Sequence, residues 1–282
     1  MAASGGGFVE RDEAVKERLR HGPEGTSPAS RWTLARIRAT FPWLQDYSLS
    51  GVWRLLQRCK VGLRRGRIQQ FSPDPDYVAK EAYLLACLRH TARHPDSHVL
   101  VFMDEMGFFR WPTPSLDWMA AAPDPARIAA CTDNNRQWRI IGALNALTGQ
   151  VNYLDNYIVG RKVVGQCYQA LNQLYPDAEH LYVVQDNWSI HKHADVLAVL
   201  DELPRIEPLW LPTYAPWLNP IEKLWRWLRQ DVLHLHRWAA DWETLLAQVH
   251  AFLDQFAQPS QELLRYVGLL GEGKLASAIR FP

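Results

Sequence analysis

The sequence predicts an α/β fold led by a β-hairpin, with a small helical module in front of it. Three observations carry this. Two short apolar runs each end in an acid, HVLVFMD at 98–104 and LYVVQD at 181–186. The periodicity changes from helical to strand-like where the first of these runs begins. From there the order strand, strand, strand, helix, strand, helix, strand, helix is that of a layered α/β domain.

Residues 1–30 are rich in Gly, Ser, Pro and charge and are expected to be mostly poorly ordered, with one short helix over 14–19. A helix over 32–40 follows, with Leu34, Ile37 and Phe41 on one face and Pro42 as its stop. A second starts at Ser48 or Ser50 and runs to about residue 60. Its buried stripe is Val52, Leu55 and Leu56, which turns Ser50, Arg54, Gln57 and Arg58 outward. The two predict a helix-turn-helix within 31–71, trailed by a basic arm with Arg64, Arg65 and Arg67. Residues 72–97 read as a linker, Ser-Pro-Asp-Pro, and a helix over 77–90.

The body, 98–282, opens with the first acid-terminated strand. Strands are predicted over 137–147 and 151–159, joined at Thr148-Gly149-Gln150. A helix over 163–174, the second acid-terminated strand, a helix over 194–203 and a strand over 206–211 come next. Asn219-Pro220 opens an amphipathic helix to about residue 234, and helices over 242–256 and 261–269 close the chain.

Composition narrows the function. At 48% hydrophobic and 22% charged residues, the chain can bury a proper core. No apolar run approaches the roughly 18 residues of a membrane span, and a cytoplasmic location is expected. The four cysteines are scattered and read as reduced thiols. The net charge of +1 hides an asymmetry: residues 31–67 hold nine basic residues against Asp46, a net +8, leaving −7 for the rest. A basic module on a mildly acidic body suits a DNA-binding head on an enzyme, although a solvated basic face would look the same.

Asp104 and Asp186 end their predicted strands, where α/β sheets gather ligands. Glu222 stands near the start of a helix, with 35 residues between it and Asp186, enough for one helix and one strand to return the chain to the same sheet end. Phosphodiester cleavage or transfer needs an activated oxygen nucleophile and a stabilised leaving oxyanion, a task met by two divalent ions about 3.5–4 Å apart. Carboxylate oxygens suit such hard ions. Each acid has a structural alternative. Asp104 reads equally as a turn acid beside Glu105, Asp186-Asn187 as a turn pair, and Glu222 as the third-position acid of a capping box on Asn219.

The motifs VFMDE around Asp104, VVQDNWSIHK around Asp186 and LPTYAPWLNPIEKLWRWLR around Glu222 resemble the DDE transposases of the mariner-like superfamily, in its bacterial insertion-sequence branch. The resemblance runs from about residue 32 to 233. It implies a ribonuclease-H-like catalytic domain, a mixed sheet flanked by helices, over 98–282. It also implies two Mg²⁺ or Mn²⁺ ions held by Asp104, Asp186 and Glu222. Strand cleavage at transposon ends and transfer into target DNA follow, with the double-stranded DNA held by a homodimer and the protein associated with the nucleoid. His191 and Lys192, in the matching IHK, are expected at DNA phosphate. Relatives carry two N-terminal helix-turn-helix units, whereas one is readable here.

The pairs His191/His193 and His234/His236 lack a cysteine or a spaced third ligand, so zinc is not expected there. No GxSxG, P-loop or GxGxxG is present. Two other functions fit the same pattern: a non-mobile DNA-binding protein derived from a transposase, and a structure-selective nuclease on the same fold. Retention of all three acids favours an enzyme, and the basic module favours duplex DNA.

Overall fold

The computed structural model describes residues 6–20, 31–63, 71–116 and 131–281. The basic arm with Arg64, Arg65 and Arg67 lies outside the described residues. The chain divides into two compact units, 1–69 and 70–282.

The first unit is three-helical. α1 (Gly6–Leu19), α2 (Leu34–Thr40) and α3 (Leu49–Arg58) surround a core of Val15, Ile37, Leu44, Val52, Leu55, Leu56 and Cys59. Ser48 caps α3, its Oγ accepting the Gly51 N–H at 3.1 Å. The short helix expected over 14–19 is longer, since α1 begins at Gly6. Two short helices cannot enclose their own apolar faces, and Val15 supplies the third side of the core, fully buried. α1 is also pinned electrostatically: Arg58 on α3 donates to both carboxylate oxygens of Asp12, at 3.2 and 3.0 Å.

The second unit is a five-stranded mixed sheet. Its strands are β1 (His98–Phe109), β2 (Gln137–Asn145), β3 (Val151–Asn156), β4 (His180–Gln185) and β5 (Ile206–Trp210), in the order β3-β2-β1-β4-β5. β1, β2 and β3 are antiparallel neighbours, while β1–β4 and β4–β5 are parallel. α4 (Tyr77–Arg93), α7 (Ile221–Leu228), α8 (Trp242–Asp254), α9 (Gln261–Val267) and α10 (Lys274–Arg280) cover one face. The other face carries α5 (Arg161–Leu174) and α6 (Ala194–Asp201). This is the ribonuclease-H-like arrangement.

Three boundaries differ from expectation. The segment 72–97, set apart from the body as linker and helix, belongs to the second unit: α4 runs to Arg93 and buries Leu84, Cys87 and Leu88 against the sheet. The helix opened by Asn219-Pro220 reaches residue 233 only by loosening, since Arg229–Leu233 is a π-helical turn after α7. Finally, Asp104 does not end its strand. β1 runs on to Phe109 because β2 keeps pairing with it, from Val101↔Asn145 to Phe109↔Gln137. The parallel partner β4 stops earlier, at Phe102↔Val184. Asp104 therefore stands where the sheet loses one neighbour, and that opens the site.

Candidate active site

Strand alternation divides the two adjacent acids of β1. Leu100, Phe102, Met106 and Phe108 face the α7 side, and Val101 and Met103 face the α5 side. Asp104 shares the first parity and turns toward α7; Glu105 shares the second. Asp186 follows the last residue of β4, and its Oδ1 accepts the Trp188 N–H at 2.9 Å, so the turn reading of this acid is realised as well.

Glu222 lies in the first turn of α7. The capping-box reading requires the Asn219 N–H for its carboxylate. That N–H donates instead to the Pro216 carbonyl at 3.0 Å, and no side-chain cap is made at the start of α7. Asn219 acts differently: its Nδ2 donates to the Met103 carbonyl at 3.1 Å, tying the start of α7 to the residue before Asp104. The 216–218 turn and Pro220 set the helix entry from the other side.

Asp104, Asp186 and Glu222 thus line one cavity of about 340 Å³, together with Asn187, the 211–216 loop and Asn219. Burial drives the Asp104 carboxyl up to about 8, with Glu222, Glu105 and Asp186 adding like-charge repulsion. Burial also raises Glu222, opposed by Arg229 and Arg226 and assisted by Asp186. The Oδ1 of Asn219 and the Oε1 of Glu105 are buried without a hydrogen-bond partner. The three carboxylates, with their crowded negative charge and the unpartnered Asn219 Oδ1 beside them, fit a hard divalent cation. A second grouping overlaps the first: ligand atoms of Glu105, Asp186 and His191 lie within 4.8 Å of one another.

The Trp225 indole crosses beneath this site. Its Nε1 donates to Asp104 Oδ2 at 3.0 Å, and the ring is fully buried. Gly142, the register partner of Asp104, makes the room, since a Cβ there would stand 2.6 Å from the ring. The Glu222-to-Trp225 spacing of three puts both on one helix face. That spacing was the available signal for the contact, but the partner strand was not readable.

His191 is corrected. Expected at DNA phosphate, it is only 1% exposed and turns inward, with Nε2 3.3 Å from Glu105 and 3.6 Å from Asp186. The 3.3 Å approach is not an aligned hydrogen bond, since Glu105 Oε1 keeps no hydrogen-bond partner. The IHK segment is a 3₁₀ turn, which directs successive side chains to different sides. Lys192 is the exposed member, held by the Asn187 Oδ1 at 3.0 Å and 4.9 Å above the Trp210 ring. In the first unit, Arg54 is exposed, whereas Arg58 is engaged by Asp12.

Comparison with known proteins points to the same fold. The family described as DDE superfamily endonuclease matches residues 99–246, just over half of the chain. The Shigella sonnei protein named "Insertion element IS630 uncharacterized 39 kDa protein" is 24% identical over 244 residues, covering 85% of this chain and 69% of that protein. Among solved structures, the Mos1 transposase paired-end complex with left transposon end has a TM-score of 0.59 at 18% identity, covering 97% of this chain and 88% of that one. The Mos1 mariner paired-end complex with Mn has a TM-score of 0.58 at 16% identity, covering 96% and 86%. At these identities the structural likeness speaks for the fold. The chain belongs to the DDE superfamily endonucleases.

Proposed function

We propose that the chain cuts and rejoins DNA at the ends of an insertion-element-type mobile segment, with Asp104, Asp186 and Glu222 as its metal-binding carboxylates. The observation that carries this is the meeting of three acids from β1, β4 and α7 around one cavity. The paired-end complexes of Mos1 with Mn and with Mg support a divalent-ion requirement here as well.

Two Mg²⁺ or Mn²⁺ ions would be held by these carboxylates, supplying Lewis-acid activation of the attacking oxygen and neutralisation of the leaving one. The residues do the rest. Trp225 and Asn219 hold Asp104 and the Glu222 helix in register. Arg226 and Arg229 favour the ionised form of Glu222. Lys192, exposed beside the cavity residue Asn187, offers a cation to a DNA phosphate.

The first unit is read as the DNA-binding head, with Arg54 on the exposed face of α3 and Arg64, Arg65 and Arg67 following in sequence. A homodimer on paired ends and association with the nucleoid complete the reading, since two ends must be cut and joined together. Among the described residues no helix is long and apolar enough to cross a membrane.

The test is cleavage and joining of labelled DNA carrying the inverted repeats that flank this reading frame, with Mg²⁺, Mn²⁺ or excess chelator. Metal-dependent nicking at the repeat ends and joining to a second duplex are expected. Cleavage that persists in chelator overturns the metal assignment.

A further inference from the structure

Four of the ten histidines meet at the end of the sheet where β1 and β4 begin, opposite the carboxylates. His90 belongs to the last turn of α4 and His94 is its C-cap residue, one helical turn on. His98 is the first residue of β1, and His180, the first residue of β4, is its parallel register partner. Ring centroids are 4.9 Å apart for His90–His94, 4.3 Å for His90–His98, 5.6 Å for His94–His98 and 5.2 Å for His98–His180. His98 is buried at the centre, and the other three rings are exposed around it.

We propose that His90, His94, His98 and His180 form a binding site for one divalent transition-metal ion of the zinc type, separate from the catalytic carboxylates. Neutral imidazole is a ligand for zinc, copper and nickel and a poor one for magnesium. A zinc–nitrogen distance of about 2.0–2.1 Å places each ring centroid about 3.2 Å from the ion, and tetrahedral ligands then hold centroids about 5.2 Å apart. Four of the six spacings that a tetrahedral set needs lie between 4.3 and 5.6 Å, around that value. No three of the ring nitrogens lie within 4.8 Å of one another as the rings stand, so the exposed His90, His94 and His180 must rotate between rotamers to converge on His98.

The central ring already has a partner of the kind that orients a ligand. Ser97 Oγ lies 2.9 Å from His98 Nδ1, which leaves its Nε2 for an ion. An ion here would clamp the end of α4 to the starts of β1 and β4.

The test uses the full, untagged chain carrying Asp186→Asn, so that the carboxylate site does not compete. Zn²⁺ is titrated calorimetrically and by thermal unfolding, and Co²⁺ by visible absorption. One Zn²⁺ per chain, a rise in Tm with Zn²⁺ but not Mg²⁺, and intense tetrahedral Co²⁺ bands are expected. His94→Gln/His180→Gln, at exposed positions that leave the fold intact by circular dichroism, lowers zinc affinity at least tenfold and removes the bands. His193→Gln leaves both unchanged. Zinc uptake unaltered by the double substitution, or no saturable uptake by the parent, overturns the proposal.

Discussion

The Trp225 indole N–H and the Asp104 carboxylate, 121 positions apart in sequence, form a hydrogen bond of 3.0 Å that fixes the most buried acid of the site. Trp225→Phe keeps the ring and removes the donor. A hydrogen bond to a charged group is worth about 1.5–3 kcal/mol, so strand cleavage is expected to fall roughly 10- to 100-fold with little change in DNA affinity. Gly142→Ala pushes the same ring away and costs about 1–3 kcal/mol of stability as well. Cleavage rates and melting curves on both variants check this; normal cleavage by Trp225→Phe would show that the contact is packing alone.

Glu222→Gln separates a ligand from a structural acid. The Asn219 N–H is already taken by Pro216, so the substitution removes no cap and the fold and DNA affinity are expected to hold. A neutral amide is a poor magnesium ligand, and cleavage should drop by roughly 10²–10³-fold or more. Near-normal cleavage would move the third ligand to Glu105, whose Oε1 is buried and unpartnered beside Asp186 and His191.

The raised Asp104 carboxyl has a stability consequence. Its folded-state value of about 8 lies above the ordinary 3.8, so the folded chain binds the extra proton between those limits. Without metal, this group's contribution is present at acid pH and lost as the pH climbs through that window. Asp104→Asn should therefore unfold at a higher temperature than the parent at pH 8 in chelator, while being inactive. Equal or lower Tm for the variant at pH 8 would contradict the burial cost assigned to this carboxylate.

DNA affinity is expected to fall steeply with salt, because cations on the first unit displace counterions from phosphate. Arg54→Ala should reduce the slope of log K against log salt by about one. Arg58→Ala should instead lower the melting temperature, through loss of the Asp12 fork, with a smaller effect on the slope. Equal slopes for parent and Arg54→Ala would remove α3 from the interface.

Much of this protein was written in local patterns. The apolar run before Asp104, the run before Asp186 and the Asn-Pro opening before Glu222 are short-range signals. They located the strands, the helix and all three acids, because strand and helix periods depend on neighbours in sequence. The extent of β1 was not local. It was decided by β2, which pairs with β1 past Asp104, and by β4, which does not.

The facing of each side chain was decided the same way. His191 looked like a surface cation and is a buried neighbour of Glu105 and Asp186. Arg58 looked free and is held by Asp12 of α1, a helix that packs Val15 and Leu19 onto the core of the other two. His180 lies 82 positions beyond His98 in sequence, and only the parallel register of β1 and β4 sets the two side by side. Sequence spacing sets direction within one element, whereas contacts between elements depend on strand order and helix packing, which no single segment encodes.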